Sequence, residues 1–364
     1  MTNKTMNPFT GFFSFLILML FIITGYALPA FAGSNSALTS PDKINYPPLQ
    51  FNLLPVQRVV LENGIVLYIL EDHELPLVNV NALIKTGTMY DPKGQEGVAE
   101  LTAYVMRTGG TAKLNSAQID SQLDFMAASA SIAMAMESAH VNFSILNNDL
   151  DHGLDLLAQI LMYPAFEQEK FELAKRLKNE ELRRLKDDPQ KLAFREFYRL
   201  IYLNDPRGGY PTTKSVAGIE RDDLIKFHDR FFMPGNIIFS ISGDITKEEA
   251  VKKFNRYFGG WKAGDMAAAV LPPPQKSNAG VYFIDKEIAQ STLISGRFAP
   301  SKNDPDFYAL PFLILLSAAA VSLPELSALC EIMKVWLTAQ GASIAPDPNT
   351  GFSALMPLRN HPQP

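Results

Sequence analysis

Few side chains in this sequence could do chemistry together, and the best placed lie in the stretch Asp91 to Thr111, DPKGQEGVAELTAYVMRTGGT. Val98, Leu101 and Val105 mark the apolar side of a helix there, ended by a Gly-Gly turn. Glu100, Ala103 and Tyr104 then share another face, because residues three and four apart are neighbours on a helix. A carboxylate and a phenol at that spacing could line a polar cavity. They cannot make a zinc site of the usual kind, which takes imidazole or thiolate ligands. Of the five histidines (His73, His140, His152, His228 and His361), no two are spaced to share one helix face. Cys330 is alone, so no internal disulfide is possible, and Ala103 has no group that could accept a proton.

The elements around that helix read as a layered α+β fold. Val59 to Leu70 is a strand pair about Asn63-Gly64, a dipeptide suited to a type I′ hairpin. Leu77 to Lys85 alternates apolar and polar residues, as a half-buried strand does. Ser116 to Met126 is helical, with Ser116 as its cap and Ile119, Leu123 and Met126 inward. Ala128 to Met136 and His140 to Leu146 form a strand pair. Helices follow at Asp149 to Met162, Glu167 to Lys186 (a solvated, charged face stopped by Asp187-Asp188-Pro189), and Leu192 to Leu203. Asp205 to Pro211 is an irregular loop, Asp222 to Phe232 a helix, Asn236 to Gly243 a strand and Lys247 to Phe258 a helix. Without strict βαβ alternation, the sheet should be largely antiparallel.

Residues 1–32 read as a cleaved signal segment. Lys4 precedes the apolar run Phe12 to Tyr26, and Ala30-Phe31-Ala32 is a small-residue cleavage signature. The protein is therefore expected to be exported, periplasmic in a bacterium and otherwise secreted, with no stable membrane span after cleavage. A formal net charge of −5 without Lys/Arg clusters argues against nucleic acid as a partner. Residues 33–55 are a Pro-rich extended lead-in, 56–262 the first domain and 263–279 a linker containing Pro272-Pro273-Pro274. Residues 280–364 open as the first domain does, with two strands (Gly280 to Phe298) and a helix (Asp304 to Leu316). We expect two related domains, the second cut short.

The series Leu61-Glu62-Asn63-Gly64, Glu71-Asp72-His73 with Pro76, Gly87 with Asp91, Gly97-Val98-Ala99, Arg107-Thr108-Gly109-Gly110-Thr111, Asp187-Asp188-Pro189, Tyr210-Pro211, Pro234-Gly235-Asn236 and Gly243-Asp244 resembles peptidase family M16, the insulinase/pitrilysin and processing-peptidase group, over roughly residues 56–315. The resemblance implies two α+β domains of the LuxS/MPP-like metallohydrolase type around a chamber in which peptides are cut. It also implies an inverted motif, His-x-x-Glu-His, on the first helix, with a further Glu on a later one. Two imidazoles and a carboxylate there hold zinc, and the motif Glu takes a proton from bound water.

At those motif positions this chain has Glu100, Ala103 and Tyr104, and Glu180 or Glu181 falls where the later Glu is expected. Glu100 with Glu180 or Glu181 could bind a hard cation loosely, but no catalytic residue remains. The resemblance therefore implies a degenerate, non-catalytic member, with no cofactor of its own and zinc in a partner subunit. That partner would be an active M16-type peptidase in a hetero-oligomer. Peptide substrates would add along an exposed strand, matched here by Ala128, Ser129, Ala130, Ser131 and Ile132. The alternatives are an active metallopeptidase with atypical ligands, a structural assembly component, or the product of a decayed gene.

The tail departs from the pattern. After Leu310 the family has a Gly-rich turn, Ser-Arg-Leu and Gly-Leu-Ala-Tyr, whose Arg and Tyr help to hold substrate. This chain has Ala318 to Pro324, AAAVSLP, and then Leu329 to Gly341, LCEIMKVWLTAQG. With permissible codons, moving the frame back one base turns these into GGGFTS and LRDHEGLAYSAG. Residues 317–345 thus read as frameshifted. Resequencing codons 310–350 should reveal displaced bases, and one uninterrupted frame encoding the residues as given would remove a base-reading error.

Overall fold

The computed structural model describes residues 54–262, 264, 280–286 and 304–309, four positions between 292 and 298, and short strands at 343–345 and 353–355. Residues 1–53, where the expected signal segment and most of the lead-in fall, lie outside them. So do nearly all of the linker and most of residues 317–345.

Strands Gln57–Val60 (β1), Val66–Glu71 (β2), Leu77–Ile84 (β3), Ser129–Met134 (β4), Ala139–Leu146 (β5) and Ile237–Gly243 (β6) build one sheet in the order β1-β2-β6-β3-β5-β4. Every neighbouring pair is antiparallel except β2 and β6. Side chains of a strand alternate between faces, and β3 and β5 use that alternation fully. Val78, Val80, Ala82 and Ile84 are buried on one side with Val141, Phe143 and Ile145. Asn81, Leu83, His140 and Asn142 lie exposed on the other. Helices Leu150–Met162 (α3) and Lys247–Phe258 (α8) pack together over the buried face, where Phe239, Phe254 and Phe258 stand 5.1–5.2 Å apart between ring centres.

The other helices are Val98–Thr108 (α1), Ser116–Phe125 (α2), Gln168–Arg184 (α4), Pro189–Ile201 (α5), Thr213–Gly218 (α6) and Arg221–Phe231 (α7). Among the described residues, no helix is long and apolar enough to cross a membrane.

Several boundaries differ from those read off the sequence, each for a local reason. In the first hairpin only Gly64 has a positive φ (+91°), whereas type I′ needs two such residues. The Gly64 N–H donates to Leu61 O and the Leu61 N–H to Ile65 O, giving a longer turn. Asn63 instead spends its amide on Phe258 O, 2.9 Å away. Asn115, not Ser116, caps α2, exchanging hydrogen bonds with Gln118 in a capping box. Pro189 opens α5 rather than only stopping α4, because Asp188 accepts from the Lys191 N–H and proline is tolerated in a first turn. The short α6 was not foreseen, although Thr212 and Ser215 cap it reciprocally.

Beyond the linker, Gly280 to Lys286 forms no strand and Val281 and Phe283 are exposed. The rest of the expected strand pair, as far as Phe298, lies largely outside the described residues. Pro305–Tyr308 is a 3-10 turn, and Ser343–Ala345 pairs with Ser353–Leu355.

Gly243 ends β6 with φ +128°, and a Cβ there would lie 1.9 Å from Leu77 O. Gly243→Ala should cost about 2–4 kcal/mol through backbone strain and the close approach, read as a lower urea midpoint with an unchanged slope.

Candidate functional site

Helix α1 is aimed by its first turn. Gly97 adopts φ 111°, a conformation that favours glycine. The Asp91 carboxylate accepts the Gly97 N–H at 2.6 Å and the Ala99 N–H at 2.8 Å, satisfying donors that a helix start leaves free. Burial pushes the Asp91 carboxyl up to about 7, against those two N–H bonds and with help from the Glu100 and Glu96 charges. Val98, Leu101, Val105 and Met106 bury the inner side of α1.

On its outer side α1 faces α4 across a cleft of about 320 Å³, whose walls include Glu100, Tyr104, Met134, Leu177, Lys178 and Glu181. Lys178 bridges it. Its Nζ lies 2.6 Å from Glu100 Oε2 and 3.0 Å from Glu181 Oε2. The Lys178 side chain is only 15% exposed, that of Glu100 32% and that of Glu181 69%. Burial works against the ammonium, but the Glu100 charge and hydrogen bonds to Glu100 and Glu181 outweigh it, so its pKa lies above the ordinary lysine value.

The residues singled out from the sequence separate here. Glu100 and Tyr104 line the cleft, with Tyr104 exposed. Ala103, three residues on from Glu100, is buried rather than part of the wall. Glu181 joins the cleft, whereas half-exposed Glu180 pairs with Arg184 at 3.0 Å and Arg183 at 3.8 Å. The charged run of α4 is therefore not wholly a solvated face, and Lys178 is the residue that reading missed. Its i, i+3 spacing to Glu181 was the available signal. Among the described residues, no three His, Cys, Asp or Glu side chains converge as a metal-holding group. His73 is exposed, as expected of a loop residue, but its Nδ1 lies 2.7 Å from Asp244 Oδ1, a contact that raises its pKa.

Ser129 to Ile132 lie on β4, which stands at the end of the sheet order, and Ala128 precedes it. Ala130, Ile132 and Met134 turn toward the core, while Ser129, Ser131 and Ala133 are exposed. Arg107, near the end of α1, donates from Nε to Ala130 O at 2.9 Å and pairs with Asp120 at 2.8 Å. The Ala130 carbonyl thus points away from β5. Since N–H and C=O of one strand residue point the same way, and alternate residues share a side, Ile132 also offers both groups to this edge, which pairs with no further strand among the described residues.

Comparisons with known proteins agree with this architecture. The family model described as Insulinase (Peptidase family M16) matches residues 67–209, and that described as Peptidase M16 inactive domain matches residues 218–314. An uncharacterized zinc protease of Rickettsia bellii is 27% identical over 241 residues, which is 65% of this chain and 57% of that protein. A non-peptidase homolog, YmxG, of Helicobacter pylori is 24% identical over 187 residues, 51% of this chain and 43% of its own length. The chain thus spans about half the length of the curated relatives it matches. A crystal structure of a peptidase M16 inactive domain from Pseudomonas fluorescens superposes with TM-score 0.72 at 20% identity, covering 84% of this chain and 75% of that one.

The raised Asp91 carboxyl has a pH signature. A carboxyl whose folded value exceeds its unfolded one stabilises the fold below both values and loses that contribution as pH rises between them. Relative to Asp91→Asn, the wild-type chain should lose stability from about pH 4 to pH 7, by at most ~1.4 kcal/mol per unit, and level off above. Chemical denaturation of both proteins across that range checks it.

Proposed function

The chain belongs to the insulinase peptidase family M16, and from that premise we propose that it is a non-catalytic member. It binds extended peptides at the β4 edge and acts beside an active zinc peptidase subunit. The observation that carries the reading is the ion pair of Lys178 with Glu100 in the cleft beside that edge, where a peptidase would need a zinc-bound water and a proton acceptor. Glu100 is committed to the ammonium, Ala103 is a buried methyl group, and a phenol at Tyr104 is a poor zinc ligand beside imidazole. The residues present do not fit zinc, so no cleavage step is assigned to this chain. The H. pylori relative named a non-peptidase homolog accords with this reading. The apolar run and cleavage signature near the N-terminus favour export as the setting.

The free edge suits a peptide because main-chain groups of Ile132 remain for an added strand, and Ser131 and Ala133 leave room for its backbone. One acceptor is already used by Arg107, which limits how far such a strand can run. Relatives named zinc protease favour a second reading, an active peptidase with an unfamiliar ligand set.

One experiment separates the two. The mature chain, alone and mixed with an active M16 peptidase, is assayed for zinc content, peptide cleavage and binding of a fluorescent extended peptide. Binding without cleavage alone, and faster cleavage in the mixture, is the expected result. Zinc-dependent cleavage by the isolated chain would overturn it. Ile132→Pro, which removes an outward N–H from the edge, should weaken peptide binding about tenfold, as one or two main-chain bonds are worth.

A further inference from the structure

We infer that Lys178 is the resident cation of the cleft, a tethered ammonium that holds α1 to α4 and keeps divalent metals out. The inference goes beyond the proposed function and stands whether or not the chain binds peptide.

Glu100 on α1 and Glu181 on α4 both direct an oxygen at the same ammonium, at 2.6 and 3.0 Å. Two carboxylates sharing one site repel unless a positive charge sits between them. In a metal site that charge arrives from solution. Here it is covalently attached to α4, and it is held in a largely buried side chain. A tethered group competes at a high effective concentration that a dissolved ion must overcome. An ammonium also needs only hydrogen-bond acceptors, whereas a hard divalent ion wants about six oxygens. The cleft supplies two carboxylates and the Tyr104 phenol among its lining oxygens. The geometry therefore favours lysine over metal on both counts.

The inference also accounts for the charged character of α4 at this point. Glu180 and Arg184 pair at the surface, where such a contact contributes little. Lys178 lies inward, and its charge joins two helices as well as two turns of α4.

The test uses the whole chain with manganese, an ion that accepts carboxylate oxygens. Wild type, Lys178→Met and the double variant Lys178→Met/Glu100→Gln are melted in EDTA and in millimolar manganese, and bound metal is measured after dialysis. Wild type should melt at the same temperature in both and retain no metal. Lys178→Met should melt several degrees lower in EDTA and recover part of that loss with manganese. Its affinity for the ion should exceed that of wild type at least about tenfold, as ligand-linked stabilisation requires. The double variant, with both charges gone, should melt closer to wild type and ignore manganese. It keeps the test open if the single variant does not fold. A wild-type chain that retains an equivalent of manganese overturns the inference. So does a folded Lys178→Met chain that takes up no more metal than wild type, or a double variant that melts below the single one.

Discussion

A carboxylate drawn partly out of water between two helices must find a positive charge within a few ångströms, or be neutralised. Glu100 is in that position, and Lys178 is its answer. The gain lies between two limits. Exposed pairs contribute about 0–1 kcal/mol, and removing one partner of a buried pair costs about 3–5 kcal/mol. With Lys178 15% exposed and Glu100 32% exposed, the pair falls between them. Moving α4 away from α1 would strand both charges. The spacing of the two helices, and hence the width of the cleft, rests on this contact together with the buried Phe171 and Ala174 of α4. Leu177, the apolar neighbour of Lys178, remains 49% exposed.

That charge pair can form only because α1 is held still from three other directions. Asp91 fixes its start, since two of the first N–H groups end on one carboxylate. Gly97 allows the chain to turn sharply into the helix, because its φ of 111° is one that residues with a Cβ rarely adopt. The inner face of α1 is buried, and its neighbours are α7, α4 and β4. A helix constrained by cap, core and ion pair cannot rotate to bury Tyr104 or expose Ala103. Its outer face is therefore a fixed arrangement of side chains.

Much of the fold was legible because periodicity reports burial directly. Val78, Val80, Ala82 and Ile84 alternate in the sequence and are buried in the sheet, and Ile119, Leu123 and Met126 repeat at helical spacing and are buried under α2. The parallel pairing of β2 with β6 was less legible, since residues 66 and 238 are brought together by everything between them. The charged stretch of α4 shows why the site was harder to read than the fold. Lys178 and Lys186 look alike in a row of charges, and only the position of α1 decides which ammonium is drawn inward. Glu180 and Glu181 posed the same problem, resolved by one residue's rotation, about 100° around the helix. The turn at Asn63-Gly64 was misread for a related reason. The Asn63 amide had a tertiary partner in Phe258 O, 195 residues away.

Arg107 connects the helix that walls the cleft to the sheet edge. It leaves α1 two turns after Glu100, takes the Ala130 carbonyl on β4 and pairs with Asp120 on α2. Its side chain is 22% exposed, so the hydrogen bond to a strand edge is sheltered from competing water. An unpaired edge is a hazard for any sheet, because a second chain can add to it without limit. One carbonyl occupied by a guanidinium shortens the available register while leaving Ile132 free. The helix that carries the ion pair would therefore also limit how far an added strand could run. Any ligand that displaced Arg107 would have to replace a charge-assisted bond and leave Asp120 to find another partner. A short strand laid from Ile132 away from Ala130 would meet no such demand.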